Sequence, residues 1–175
     1  IAVDPLGNLW GCSGSSDEKG LYRIDPETAE TTWVAELPKY LSGLTFLGDG
    51  RLVGAGDGVW VLDQSTGGIR ETLVPEGQYV TSGDIVALPD GLLYWTVWPA
   101  DYGDADRLLV INPAGGVTVR GEADVSKVFG LGYADNALYG FTDDGNWVKL
   151  SQSTGSLQLT GPLPGNSGWW GATTN

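Results

Sequence analysis

An all-β propeller of four blades, each of four antiparallel strands, is the fold this sequence predicts. Three observations predict it. One short text recurs four times at a spacing of about 40 residues, the mark of stacked supersecondary units. Each copy holds two strand–turn–strand units. No stretch keeps a 3.6-residue apolar period, so almost no helix is expected.

The second half of the repeat is the clearer. It reads Leu21-Tyr22-Arg23-Ile24-Asp25-Pro26-Glu27-Thr28, then Val59-Trp60-Val61-Leu62-Asp63-Gln64-Ser65-Thr66-Gly67. It returns at Leu108-Leu109-Val110-Ile111-Asn112-Pro113 and at Trp147-Val148-Lys149-Leu150-Ser151-Gln152-Ser153-Thr154-Gly155. The anchors Asp25, Asp63, Asn112 and Ser151 follow a third strand. Their side chains are suited to bond the local backbone and turn the chain into a fourth strand. Those fourth strands are expected at Thr31 to Glu36, Ile69 to Leu73, Val117 to Gly121 and Leu157 to Leu159.

The first half is a hairpin. Gly43 to Gly54 matches Gly83 to Tyr94 and Gly130 to Gly140, each an apolar run, an Asp-Gly or Asp-Asn turn and a second apolar run. Ile1 to Gly11 is the same text with its front missing. Thr81 to Leu88 is apolar enough to suggest a helix, but its place in the repeat makes it an inner strand. The blades are therefore expected at about 1–38, 39–78, 79–126 and 127–166, in one domain. Ser167 to Thr173 aligns with Ser42 to Gly48 and reads as one more innermost strand. It is expected to dock in the first blade and close the ring from the C-terminal side.

Composition bounds the function. A formal net charge of −13 with only nine basic residues excludes nucleic-acid binding, which rests on Lys and Arg. No segment is apolar for long enough to insert into a membrane as a helix. The 28 Gly fit the many tight turns of such a fold. The text and composition point to an extracellular or cell-surface protein. One cysteine forms no internal disulfide, and Cys12 is expected as a buried strand thiol.

The absence of His removes Ser-His-Asp and Cys-His arrangements and imidazole metal ligands. Cys12 has no basic neighbour to activate it. Carboxylates remain. Asp143-Asp144-Gly145-Asn146 reads as the turn between second and third strands of the fourth blade. The third blade carries an insertion between Tyr94 and Leu108. There Asp101, Asp104 and Asp106 are closely spaced oxygen donors of the kind Ca²⁺ takes, without the glycine and terminal Glu of an EF-hand loop. Trp98 and Tyr102 offer ring faces for a ligand. Ser13 to Lys19 is a weaker counterpart in the first blade.

Leu21 to Thr28, followed by Leu37-Pro38 and Gly43 to Leu52, resembles the repeats of secreted bacterial β-propellers, loosely the NHL, YVTN and gluconolactonase-like groups. Gly140-Phe141-Thr142-Asp143 and Gly168 to Thr174 resemble the closing blade of myxobacterial-type surface proteins. The resemblance implies the propeller fold. Gluconolactonase-like enzymes hold calcium with Glu, Asn and Asp on inner strands, and of such a set the inner strands here offer Asp84. The leading reading is a secreted or surface propeller that binds a protein or carbohydrate ligand without catalysis. A calcium-dependent lactonase- or lyase-like enzyme is the first alternative. The second is a filament subunit that self-associates through its terminal strands.

Overall fold

Residues 1–13, 18–98, 104–165 and 172 are described by the computed structural model. They form four sheets of four antiparallel strands and no helix. The first blade holds β1 (Ala2–Val3), β2 (Leu9–Cys12), β3 (Gly20–Ile24) and β4 (Thr31–Glu36). The second holds β5 (Gly43–Phe46), β6 (Leu52–Ala55), β7 (Val59–Leu62) and β8 (Ile69–Val74). The third holds β9 (Val80–Ala87), β10 (Leu93–Trp98), β11 (Arg107–Ile111) and β12 (Val117–Glu122). The fourth holds β13 (Val128–Ala134), β14 (Ala137–Thr142), β15 (Asn146–Leu150) and β16 (Leu157–Pro162). In every sheet spatial order follows chain order, so the chain runs from the axis outward and then steps to the next blade. The sheets surround one axis: all four blades line the cavity at its lower end.

Burial follows distance from the axis. β5, β6 and β7 are buried at every position, which is why they read as unbroken apolar runs. The outermost β4 and β8 are mostly exposed and carry Thr, Arg and Glu. Three apolar clusters glue the blades face to face. Trp10, Leu21, Leu44 and Trp60 join the first and second. Val53, Val61, Ile85 and Trp95 join the second and third. Val86, Leu108, Leu131 and Val148 join the third and fourth. Trp95 is wholly buried, and such a side chain contributes on the order of 2–3 kcal/mol.

The turns follow the sequence chemistry. Asp25 Oδ1 accepts from the amides of Glu27 and Thr28 at 2.8 and 2.9 Å. Asp63 repeats this with Ser65 and Thr66, Asn112 bonds Ala114, and Ser151 Oγ accepts from Thr154. Asp135 and Asn136 link β13 to β14 with φ of 49° and 58°, the left-handed pair a two-residue hairpin turn requires. Asp143 to Gly145 forms the turn between β14 and β15, as expected from the sequence.

Candidate functional site: the upper axial mouth

The connections between second and third strands, and those between blades, lie on one face, called upper here. The first-to-second hairpins lie on the lower face. At the upper end of the axis is a cavity of about 820 Å³, lined by residues of all four blades. Each wall element is fixed by the repeat. Cys12 ends β2, Tyr40 to Ser42 lead into β5, Val80 to Gly83 begin β9, and Phe129 lies in β13. Ile1, Tyr40 and Val80 border this cavity and are 43%, 43% and 59% exposed. Single exposed apolar residues are ordinary, but three at one mouth form a patch.

Beneath the rim the polar groups are spoken for. Ser42 Oγ donates to the Gly83 carbonyl at 2.7 Å and lies 3.0 Å from Thr81 Oγ1. Trp95 Nε1 donates to Thr81 Oγ1. Cys12 is half-buried on this wall rather than enclosed in its strand, a departure from the sequence expectation. Its thiol donates to the Leu41 carbonyl at 3.6 Å. Burial pushes the thiol up to about 11, so it stays protonated and unreactive at neutral pH.

Deeper lies Asp84 on β9, 1% exposed. Its Oδ1 accepts from the Ile85 amide at 2.9 Å, and its Oδ2 from Leu131 at 3.4 Å and Ala172 at 3.2 Å. Burial pushes the carboxyl up to about 7, while the Ile1 amino group and the three amides pull it down. Sequence reasoning found Asp84 only as an inner-strand carboxylate. A lone Asp in a strand gives no sign of which amides meet it.

The residues singled out from the sequence fall in different places. Trp98 is the cross-strand partner of Val80, which sets it beside the rim. Asp104 is exposed. Asp106 points inward and is 2% exposed. Its Oδ2 accepts from the Ser82 hydroxyl and, at 2.7 Å, from the Val128 amide. Burial raises its pKa against those bonds. Its main chain also bonds Val125 and Ala123, so Asp106 pins the third blade to the strand that opens the fourth. Asp101 and Tyr102 lie outside the described residues, as do positions 14–17 of the first-blade counterpart. Among the described residues no group of three His, Cys, Asp or Glu is placed to hold a metal.

No family model and no curated protein matches the chain. Solved structures do. The PQQ-bound aldose sugar dehydrogenase of Streptomyces coelicolor aligns with TM-score 0.62 and 22% identity. A structure described as a candidate gluconolactonase gives 0.61 and 19%, and one of a nidogen/laminin complex 0.60 and 19%. The alignments cover 88%, 94% and 98% of this chain and 59%, 63% and 82% of those chains. The chain therefore spans about three fifths of the length of the first two. The neighbours are β-propeller proteins, and at these identities the likeness carries the fold alone.

Proposed function

We propose that this is a secreted or cell-surface propeller that binds a protein or carbohydrate partner, without catalysis, at its upper axial mouth. One observation carries the reading: Ile1, Tyr40 and Val80, all exposed and apolar, converge on a single 820 Å³ cavity in a chain of net charge −13. Apolar patches with polar surroundings are the ordinary mark of a recognition surface. Against catalysis stand the unactivated Cys12 and the sealed Asp84: neither offers an accessible base to a bound molecule.

The test is binding measured on a glycan panel and against extracellular proteins, for the native chain and for Tyr40→Ala with Val80→Ser. The double variant is expected to lose at least tenfold in affinity while melting like the parent, since both side chains are exposed. Unchanged binding by that variant moves the site elsewhere.

The calcium-dependent alternative rests on the insertion of the third blade. There we propose that Asp101 and Asp104 hold the ion, while Asp106 fixes the base of the loop. A native-state cation at a hundredfold excess over its dissociation constant adds about 2.7 kcal/mol of stability. Melting in excess calcium and then in chelator is the measurement, and identical curves remove the reading.

A further inference from the structure

The upper mouth has apolar walls and one charge. Among the described residues that line it, Ile1, Tyr40, Leu41, Val80 and Phe129 are aliphatic or aromatic, and Asp57 is the sole charged side chain. Asp57 lies in the turn between β6 and β7 and is exposed. We propose that the partner of this mouth is a protein segment that seats a large apolar side chain against Tyr40 and Val80 and sets a neighbouring Lys or Arg on Asp57. The proposal rests on the binding reading above and takes it further, since it selects protein over carbohydrate and states the chemistry of the segment.

The polar groups of the wall decide against a sugar. A bound sugar ring needs several free donors and acceptors, because each hydroxyl buried without a partner costs affinity. The hydroxyls here are already engaged. Ser42 Oγ donates to the Gly83 carbonyl at 2.7 Å. Thr81 Oγ1 donates to the same carbonyl at 3.1 Å and accepts from Trp95 Nε1. Ser82 Oγ donates to Asp106 Oδ2. An apolar side chain makes no such demand, and its entry takes the exposed surface of Tyr40 and Val80 out of water. The volume of about 820 Å³ admits more than one side chain of a segment.

Charge supplies the second half of the recognition. Lys39, next to Tyr40 in the chain, is bound to Glu76 at 2.8 Å. Gly77, next to Glu76, donates its amide to the Asp57 carbonyl, so this ion pair stands beside the mouth and is complete in itself. Among the described residues no side chain pairs with the Asp57 carboxylate. A basic residue on the partner provides the missing charge. The field of a chain with net charge −13 draws a basic segment in and repels an acidic one. A charge at a rim acts on encounter and choice of partner, while the apolar side chain in the mouth holds the complex.

The experiment selects peptides from a phage-displayed library of random sequence on the full chain, and repeats the selection on Asp57→Lys. Peptides enriched on the native chain are expected to place Lys or Arg close to a Leu, Phe, Tyr or Trp. Those enriched on Asp57→Lys are expected to keep the apolar residue and to carry Asp or Glu instead. A synthetic peptide from the native selection is expected to bind Asp57→Lys about tenfold or more weakly. Its binding to Asp57→Asn is expected to fall about threefold and to depend less on salt. Tyr40→Ala with Val80→Ser is expected to lose it by about tenfold or more. Asp57 is exposed, so its variants are expected to melt like the parent. Native and Asp57→Lys chains that enrich the same peptides overturn the proposal and leave the binding reading in place. A native chain that enriches no peptide also overturns it, and glycan binding that is lost in Tyr40→Ala with Val80→Ser then keeps the binding reading. Peptides that bind that double variant unchanged overturn both, because the mouth is then not their site.

Discussion

Asp4 and Asp84 are both nearly buried, yet they ionise at opposite ends of the scale. Asp4 accepts from the amides of Leu6 and Asn8, from the Asn8 side chain and from Trp10 Nε1, with Arg23 3.6 Å away. Burial opposes its charge, but these bonds outweigh it and hold the carboxyl at about 2. Its stabilisation is therefore present above the unfolded value of 3.8 and is lost as pH falls through about 2. Asp84 has the opposite sign. Its contribution is complete below 3.8 and is lost as pH rises through about 7. From these two groups denaturant midpoints are thus expected to peak at roughly pH 4, falling toward acid through Asp4 and falling between pH 4 and about 7 through Asp84. Asp4→Ala strands the buried Trp10 donor, and urea unfolding is expected to show a loss of roughly 2–3 kcal/mol. The Asp-anchored turns were legible in the sequence, because each side chain bonds an amide two or three residues ahead. The fates of Asp84 and Asp106 were not, because they also take partners from far along the chain: Leu131 and Ala172 for Asp84, Ser82 and Val128 for Asp106.

The second blade meets the third, and the third meets the fourth, at a glycine. An added Cβ on Gly43 would lie 2.8 Å from the backbone nitrogen of Ile85, and one on Gly83 would lie 2.3 Å from Cα of Phe129. Both glycines open the hairpin text of their repeat, and both sit where one inner strand crosses close to that of the following blade. The sequence alignment of Gly43 with Gly83 thus marked a real equivalence. It did not reveal the cause, since a repeat shows position along a strand but not what faces it. The obstacle at Gly83 is backbone, which does not rotate away as a side chain does. Gly83→Ala is expected to cost about 3 kcal/mol or more, read as a fall in the thermal midpoint. Gly91→Ala, in open space but at φ +80°, is expected to cost only the strain of its left-handed turn, about 1 kcal/mol. Similar losses at the two sites would mean that close approach is not what Gly83 supplies.

At the scale of the whole molecule the four junctions differ. Buried clusters fill those between first and second, second and third, and third and fourth blades. Among the described residues no such cluster fills the junction of fourth and first. By strand alternation the first blade turns Leu9, Tyr22, Ile24 and Trp33 toward it, and the fourth turns Tyr139, Phe141 and Trp147. These are half-buried or exposed aromatic and aliphatic side chains, with Tyr22 edge-on to Trp33 and Tyr139 edge-on to Trp147. The innermost strand of the first blade is also the shortest, two residues against eight in β9. The sequence places an additional inner strand at 167–173, which lies outside the described residues apart from Ala172. That one residue reaches the axis at Asp84. We propose that the segment completes the first blade within the same molecule, favoured by the high effective concentration of an attached strand. Removing residues 167–175 takes one donor from a buried carboxyl and leaves the inner edge of the first blade short. The truncated monomer is then expected to lose about 2 kcal/mol or more, measured by unfolding at low protein concentration. A truncated chain that melts like the parent, and loses only self-association, would place the strand in a neighbouring molecule. In that case the filament reading replaces closure in the monomer, because the same unpaired edge then serves as the joint.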